Sequence, residues 1–204
     1  MIMEHMRGQP GSKRLIENPF LERISRTNAY VVILSFVVLS LLVFIYGFWM
    51  LEFNILSGVA IYISGLLVFT LAEYLIHRFV FHSGEYTHEK NWQFKIHGIH
   101  HAAPRDKERL AMPLPLAFTV SGIFFLAFWL VMRSYAFFFF PGFILGYALY
   151  LFVHYTIHTR RPPKNVIRYL WTHHHVHHHI NDHEAFGVTT PFWDIVFRTM
   201  PRKK

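Results

Sequence analysis

The chain contains no cysteine. Disulfides, thiolate zinc sites and cysteine-ligated iron–sulfur clusters are therefore excluded. Any metal must be held through nitrogen or oxygen. Charge is also scarce. Asp, Glu, Lys and Arg make up 16% of the 204 residues, whereas apolar residues make up 53% and Phe alone occurs 22 times. This is the composition of a membrane protein, not of a soluble globule. No cleavable signal peptide is legible. Met1 to Ala29 carries Arg7, Lys13, Arg14, Arg23 and Arg26 with no apolar core among them, and the first apolar run, from Tyr30, is too long for a signal h-region. The net charge of +8 forms no stripe of the kind that binds nucleic acid.

Four charge-free stretches are long enough to cross, or nearly cross, a bilayer: Tyr30 to Leu51, Phe53 to Ala72, Leu110 to Met132 and Ser134 to Val153. Pro113 and Pro115 fall at the start of the third, where proline is tolerated, and Pro141 is expected to kink or restart the fourth. The third and fourth are alternatively re-entrant. Tight hairpins at Glu52 and at Arg133–Ser134 leave everything else on one side. Lys and Arg number 5 before the first span, 6 between the second and third, and 8 from His154 onward, so 19 of 20 lie on that side. The positive-inside rule makes it cytoplasmic. The expected fold is all-α and integral to the membrane. Residues 1–29 form a cytoplasmic N-terminal segment and residues 30–204 a single domain.

Ten of the sixteen histidines fall into four clusters at that same face. They are His77 and His82; His97, His100 and His101; His154 and His158; and His174, His177 and His178. Residues three and four apart share a helix face, so the last three clusters can each aim two or three imidazoles at one point. His77 and His82, five apart, lie about 140° apart on an α-helix. They are expected to grip a site from two sides, or the helix ends between them. Imidazoles near an apolar boundary need partners, and a metal supplies them. Ten ligands exceed what one ion takes, so two ions fit better. Imidazole suits iron, zinc, copper or nickel. Two adjacent metals beside lipid point to oxidation of an aliphatic chain with dioxygen. His173, His175 and His179 blur the register of the last cluster. Glu73, one turn before His77, is a candidate acceptor for its ring N–H. Asp182 and His183 are candidate outer groups or loop residues, and His5 and His88 read as surface.

These motifs resemble the fatty acid hydroxylase superfamily, which includes sterol desaturase-like enzymes, and within it the fatty acid 2-hydroxylases. The resemblance rests on Glu73-Tyr74-x2-His77-Arg78-Phe79-x-Phe81-His82, His97-Gly98-x-His100-His101, Pro104-x-Asp106-x2-Arg109-Leu110-x-Met112-Pro113, His154-Tyr155-x2-His158 and Phe186-Gly187-Val188-Thr189-Thr190-Pro191-x-Trp193-Asp194. It implies a four-span base with a cytoplasmic helical cap and a dinuclear centre. The working metal it implies is two iron ions, with zinc a possible occupant of the site in purified protein. It also implies hydroxylation of an acyl chain, at C2, with dioxygen and two electrons. The ten clustered histidines carry over as ligands, and the offset from Phe186 selects His174, His177 and His178 over His175, His178 and His179. Asp106 and Arg109 are expected as a salt-linked cap element or a substrate headgroup contact. Trp193 and Asp194 are expected to tie the C-terminal segment to the cap. The family's Tyr-Asp pair before the third box is Tyr150-Leu151 here. With 29 residues before the first span, electrons are expected from a separate protein, cytochrome b5-like or a ferredoxin with its reductase, docked on the basic face. The rival readings are a sterol or carotenoid hydroxylase or desaturase of the same superfamily, and a zinc-binding or zinc-transporting membrane protein. The membrane is the inner membrane in a bacterium or the endoplasmic reticulum in a eukaryote.

Overall fold

The computed structural model describes residues 14, 16–83 and 91–201. His5 and His88 lie outside them. The described residues hold helices and turns and no strand. The first three helices each begin on an asparagine whose side chain accepts backbone N–H groups of the first turn. Asn18 caps α1 (Pro19–Ser25), Asn28 caps α2 (Ala29–Met50) and Asn54 caps α3 (Ile55–Ile76). A short α4 (Ile99–Ala102) follows, then α5 (Leu114–Met132), α6 (Ala136–Thr159), α7 (Arg168–His179) and α8 (Phe192–Val196).

Helix α6 is central, packed against α2, α3 and α5. Ring contacts give the directions. Phe36–Tyr147 and Phe44–Phe138 run antiparallel, Phe53–Phe138 and Phe69–Tyr147 run parallel, and Phe124–Phe143 and Phe128–Phe139 run antiparallel. The C-terminal ends of α3 and α6 therefore lie at one end of the bundle, and both carry histidines there. The parallel pair is close because it is glycine-lined. A Cβ on Gly65 would strike the Phe139 carbonyl, and one on Gly142 the Tyr62 carbonyl. Pro141 does not restart the helix, which runs unbroken through it. It sits in the second turn of α6, and its carbonyl accepts the buried Ser40 hydroxyl at 2.8 Å.

Among the described residues three segments are long and apolar enough to cross a membrane: Ala29–Met50, Ile55–Phe81 and Lys107–Thr159. The third holds α5, a 3-10 turn at Arg133–Tyr135 and α6, the stretch that the sequence divides into two spans. The outward faces are apolar, with Leu56 79% and Val131 83% exposed. Water would not favour such a surface, and lipid does.

Candidate metal centre

The two histidines five apart are brought together by backbone geometry. Helix α3 does not end at His77 but widens into a π-helical turn, His77–Phe81, closed by His82 N–H donating to the His77 carbonyl at 3.2 Å. A π turn hydrogen-bonds i to i+5, so residues five apart return to one face. The His77 and His82 rings lie 5.0 Å apart. They meet the site from one turn, not from two sides. A second π turn, Phe94–Gly98, runs into α4 and carries His97, His100 and His101.

All ten histidines singled out from the sequence come together, in two groups of five. One holds His77, His82, His97, His101 and His177; the other holds His100, His154, His158, His174 and His178. Two sequence clusters are divided between the groups, contrary to the expectation that each serves one point. His97 and His101, four apart, stay together while His100 goes to the other group. On α7 the pair His174 and His178 stays together while His177 crosses over. The two helices thus exchange one ligand position each, and His101 stacks on His178 at 4.1 Å where the groups adjoin.

The donor sets fit metal ions. In the first group Nε2–Nε2 distances are 3.1 Å for His77–His97, His82–His97 and His177–His82, and 2.9 Å for His101–His97. In the second they are 2.9 Å for His154–His100, 3.1 Å for His100–His178 and 2.8 Å for His158–His174. Imidazole nitrogens about 2.1 Å from a shared ion lie about 3 Å apart when at right angles. Five lone pairs aimed at one point would repel without a cation between them. Burial pushes His97, His100, His101, His174, His177 and His178 well below the ordinary histidine range, and their neighbours' rings push further. They are neutral at pH 7, as ligation requires.

Two rings have their tautomer set by carbonyls, which only accept. His77 Nδ1 donates to the Phe186 carbonyl at 2.5 Å, and His177 Nδ1 to the Glu184 carbonyl at 2.9 Å. Each Nε2 is left bare for a metal. Ala185 between them, buried at φ 59, turns the chain so that both carbonyls face inward. Glu73 is not the acceptor for His77. Its carboxylate accepts Val188 N–H at 2.7 Å, Thr189 N–H at 3.0 Å and the Thr189 hydroxyl, and so holds the strand of chain whose Phe186 carbonyl orients His77. Asp182 is a partly exposed loop residue, 3.6 Å from His183.

His173 is buried yet outside both groups, because it belongs to Asp194. That carboxylate is fully buried and accepts His173 Nε2–H at 3.0 Å, Phe186 N–H at 2.9 Å, Gly187 N–H at 2.8 Å and the Thr199 hydroxyl at 2.8 Å. Burial alone would raise its pKa, but these donors together hold it below the usual carboxylate value. Trp193 donates to the Thr70 hydroxyl at 2.9 Å, tying α8 to α3. His175 and His179 are exposed. Asp106 caps the 3-10 turn Lys107–Arg109, and Arg109 pairs with Glu22 of α1. Arg26 lies 3.8 Å from Asp106 and 3.0 Å from Glu108. Asp106 and Arg109 thus sit in a salt-linked belt joining α1 to the turn before α5.

Cavities among the described residues border the histidines. One of about 280 Å³ reaches His97, His100 and His154 past Lys95, Met112 and Tyr150. A second of about 110 Å³ lies among Phe69, Phe124, Phe143 and Ile144 and reaches His77. Phe81, Met112, Tyr147 and Tyr150 line both. A third, about 680 Å³, opens on His158, His174 and His178 from elsewhere. The sequence did not mark Phe69, Phe124, Phe143 and Ile144 as cavity walls, because apolar residues on a membrane helix look alike whether they face lipid, core or a hole.

The fatty acid hydroxylase family model matches residues 62–199. The ceramide very long chain fatty acid hydroxylase scs7 of Schizosaccharomyces pombe is 38% identical over 201 residues, covering 96% of this chain and 56% of the relative. The human fatty acid 2-hydroxylase is 37% identical over 150 residues, covering 71% and 40%. The dihydroceramide fatty acyl 2-hydroxylase FAH1 of Arabidopsis thaliana is 37% identical over 156 residues, covering 72% and 62%. The chain spans about half the length of these relatives. A solved structure of full-length scs7p, with only its hydroxylase domain visible, superposes with a TM-score of 0.86 at 30% identity, over 98% of this chain and 78% of that one. The chain belongs to the fatty acid hydroxylase family.

Proposed function

We propose that this chain hydroxylates a long acyl chain of a membrane lipid at C2, with two iron ions held by the ten clustered histidines. One observation carries the reading: histidines of a group able to bind metal form the wall of a cavity that continues among apolar residues of membrane-spanning helices. Iron bound there supplies the activation of dioxygen and the oxidation of an unactivated C–H bond. The balance is R–H plus O₂, two electrons and two protons to R–OH plus water, so an external reductant is required.

The chain's own residues bind and orient. Phe69, Phe124, Phe143 and Ile144 receive the tail and exclude water from it. Lys95 and Ser25 border the other cavity, where a polar lipid end finds partners. A chain held this way brings a carbon near its polar end beside His97, His100 and His154, which supports C2. The relatives named as 2-hydroxylases support the same position. Four crossings, with the histidine end and its basic flanks as a cytoplasmic cap, complete the proposal.

The test is lipid mass spectrometry after expression with iron and a reductase system. The expected product carries one added oxygen at C2 and is absent with His97→Ala. Iron-loaded protein that yields no oxygenated acyl chain overturns the reading. Loss of two hydrogens would mark a desaturase, an oxygenated sterol or carotenoid another substrate, and metal transport into liposomes without oxygen consumption a transporter.

A further inference from the structure

Helix α7 carries two chelating pairs of histidines. His174 and His178, four residues apart, have their rings 4.4 Å apart and belong to the second group of five. His175 and His179, each one residue further on, have their rings 4.5 Å apart. The pairs His97–His101 and His154–His158, at the same spacing within the two groups, have theirs 4.7 Å apart. The outer pair on α7 thus has the ring separation of pairs that could hold metal, yet it lies outside both groups and both its members are exposed. One residue is about 100° of α-helix, which carries the pair from the buried face to the surface. Both pairs line the cavity of about 680 Å³, together with His158. His158 is the one histidine of the ten that is only partly buried.

An ion bound for the second group comes from water and must shed its hydration shell on the way. The approach past Tyr150 runs along Phe81, Met112 and Leu116, which offer nothing in place of that water. In the larger cavity imidazoles stand at the rim and again at the floor. Its wall holds no carboxylate and includes Arg105, Lys107, Arg160 and Arg161, all exposed. Mg²⁺ and Ca²⁺, which depend on carboxylate oxygen, are therefore disfavoured, whereas imidazole suits iron, zinc, copper and nickel. Repulsion of these ions by the four cations is screened at an exposed rim. His179 ends α7, and the carbonyl end of a helix favours a cation at its last turn.

We propose that His175 and His179 form a third metal site, at the surface, which takes a transition-metal dication from solution and passes it to the second group by way of His158, His174 and His178. The inference rests on the proposal that the two groups of five hold metal, and not on the reaction they support. The transfer is an exchange of ligands. Water and the outer imidazoles leave the ion as inner imidazoles bind, and its charge and oxidation state do not change. With two nitrogens against five, the outer site binds more weakly and releases its ion inward.

The probe is Zn²⁺ alone, added to the full chain in nanodiscs. Chain that already holds two ions is expected to take a third, counted by equilibrium dialysis and released when free Zn²⁺ is dialysed away. His175→Gln with His179→Gln is expected to abolish the third ion and keep the other two. Loading of metal-stripped chain is followed by the loss of Zn²⁺ from a fluorescent chelator. In the double variant one of the two ions should load about tenfold or more slowly, with the same final content. His183→Gln, exposed and outside this cavity, is the control and should change either reading by less than about twofold. If the double variant does not reach two ions, His175→Gln alone replaces it, and the same weakening of the third ion and slowing of loading are expected. Loaded chain that takes no third ion overturns the proposal. So does a third ion that survives the double substitution, or equal loading rates in the unaltered chain and the double variant. Failure of the underlying metal assignment is separable, because the stripped unaltered chain then retains fewer than two ions after dialysis.

Discussion

His177 Nε2 lies 3.1 Å from His82 Nε2, although they are 95 positions apart and His177 lies in sequence between His174 and His178 of the other group. The α7 helix is in this way bound to the π turn at the end of α3. Removing His177 or removing His174 should empty different positions. Each alanine variant is expected to lose one of two metal ions by elemental analysis, and activity by more than about 100-fold, beyond the effect of removing an outer hydrogen-bond partner. Retention of both ions in either variant would contradict the assignment of groups.

Glu73 acts two steps from a ligand. Glu73→Ala leaves the Val188 and Thr189 N–H groups without their acceptor and frees the segment that orients His77. Metal affinity of the first group should fall by about 10- to 100-fold, with the second group unchanged. Asp182→Ala, at a partly exposed loop site, should shift stability by less than about 0.5 kcal/mol. Competitive metal titration and thermal unfolding in detergent check the pair.

Asp194 gathers four donors in a fully buried site. Asp194→Ala leaves them unsatisfied and should cost about 3 kcal/mol or more. The pH dependence has a definite sign. The folded-state pKa is depressed, so the stabilisation is complete above the unfolded value of about 3.9 and is lost as pH falls through the folded value. The unfolding temperature of the intact protein should therefore drop more steeply below about pH 4 than that of Asp194→Asn. Parallel slopes would count against a charged Asp194.

The small cavity among Phe124, Phe143 and Ile144 should set the length of chain accepted. Val120 lines it, and Val120→Trp fills a space of about 110 Å³. Products are expected to shift toward shorter acyl chains with metal content intact, as read by lipid mass spectrometry. An unchanged length distribution would place the tail elsewhere.

Sequence alone reached the residues more readily than their arrangement. Helical class, the apolar runs and the ten histidines were legible, because a charge-free run and repeated imidazoles are both local signals. The division into fives was not. A cluster such as His97, His100 and His101 shows only which side chains share a helical face, and the groups are divided by what faces them. The π turn was hidden because spacing was read on α-helical geometry, on which His77 and His82 diverge. Backbone carbonyls orient His77 and His177, and carbonyls leave no trace in side-chain identity. The buried His173 could have been paired with Asp194 only by knowing that α8 packs against α7. Pro141 pointed to a kink or a restart, and the restart lies earlier, because α6 begins five residues before it.

The most direct test of the central reading is anomalous diffraction from crystals of the iron-loaded chain, recorded on both sides of the iron absorption edge. Two iron peaks are expected, one surrounded by Nε2 atoms of His77, His82, His97, His101 and His177, the other by those of His100, His154, His158, His174 and His178, at about 2.0–2.3 Å. A single peak, or two peaks that divide the ligands by sequence cluster, with His97, His100 and His101 around one ion, would contradict it.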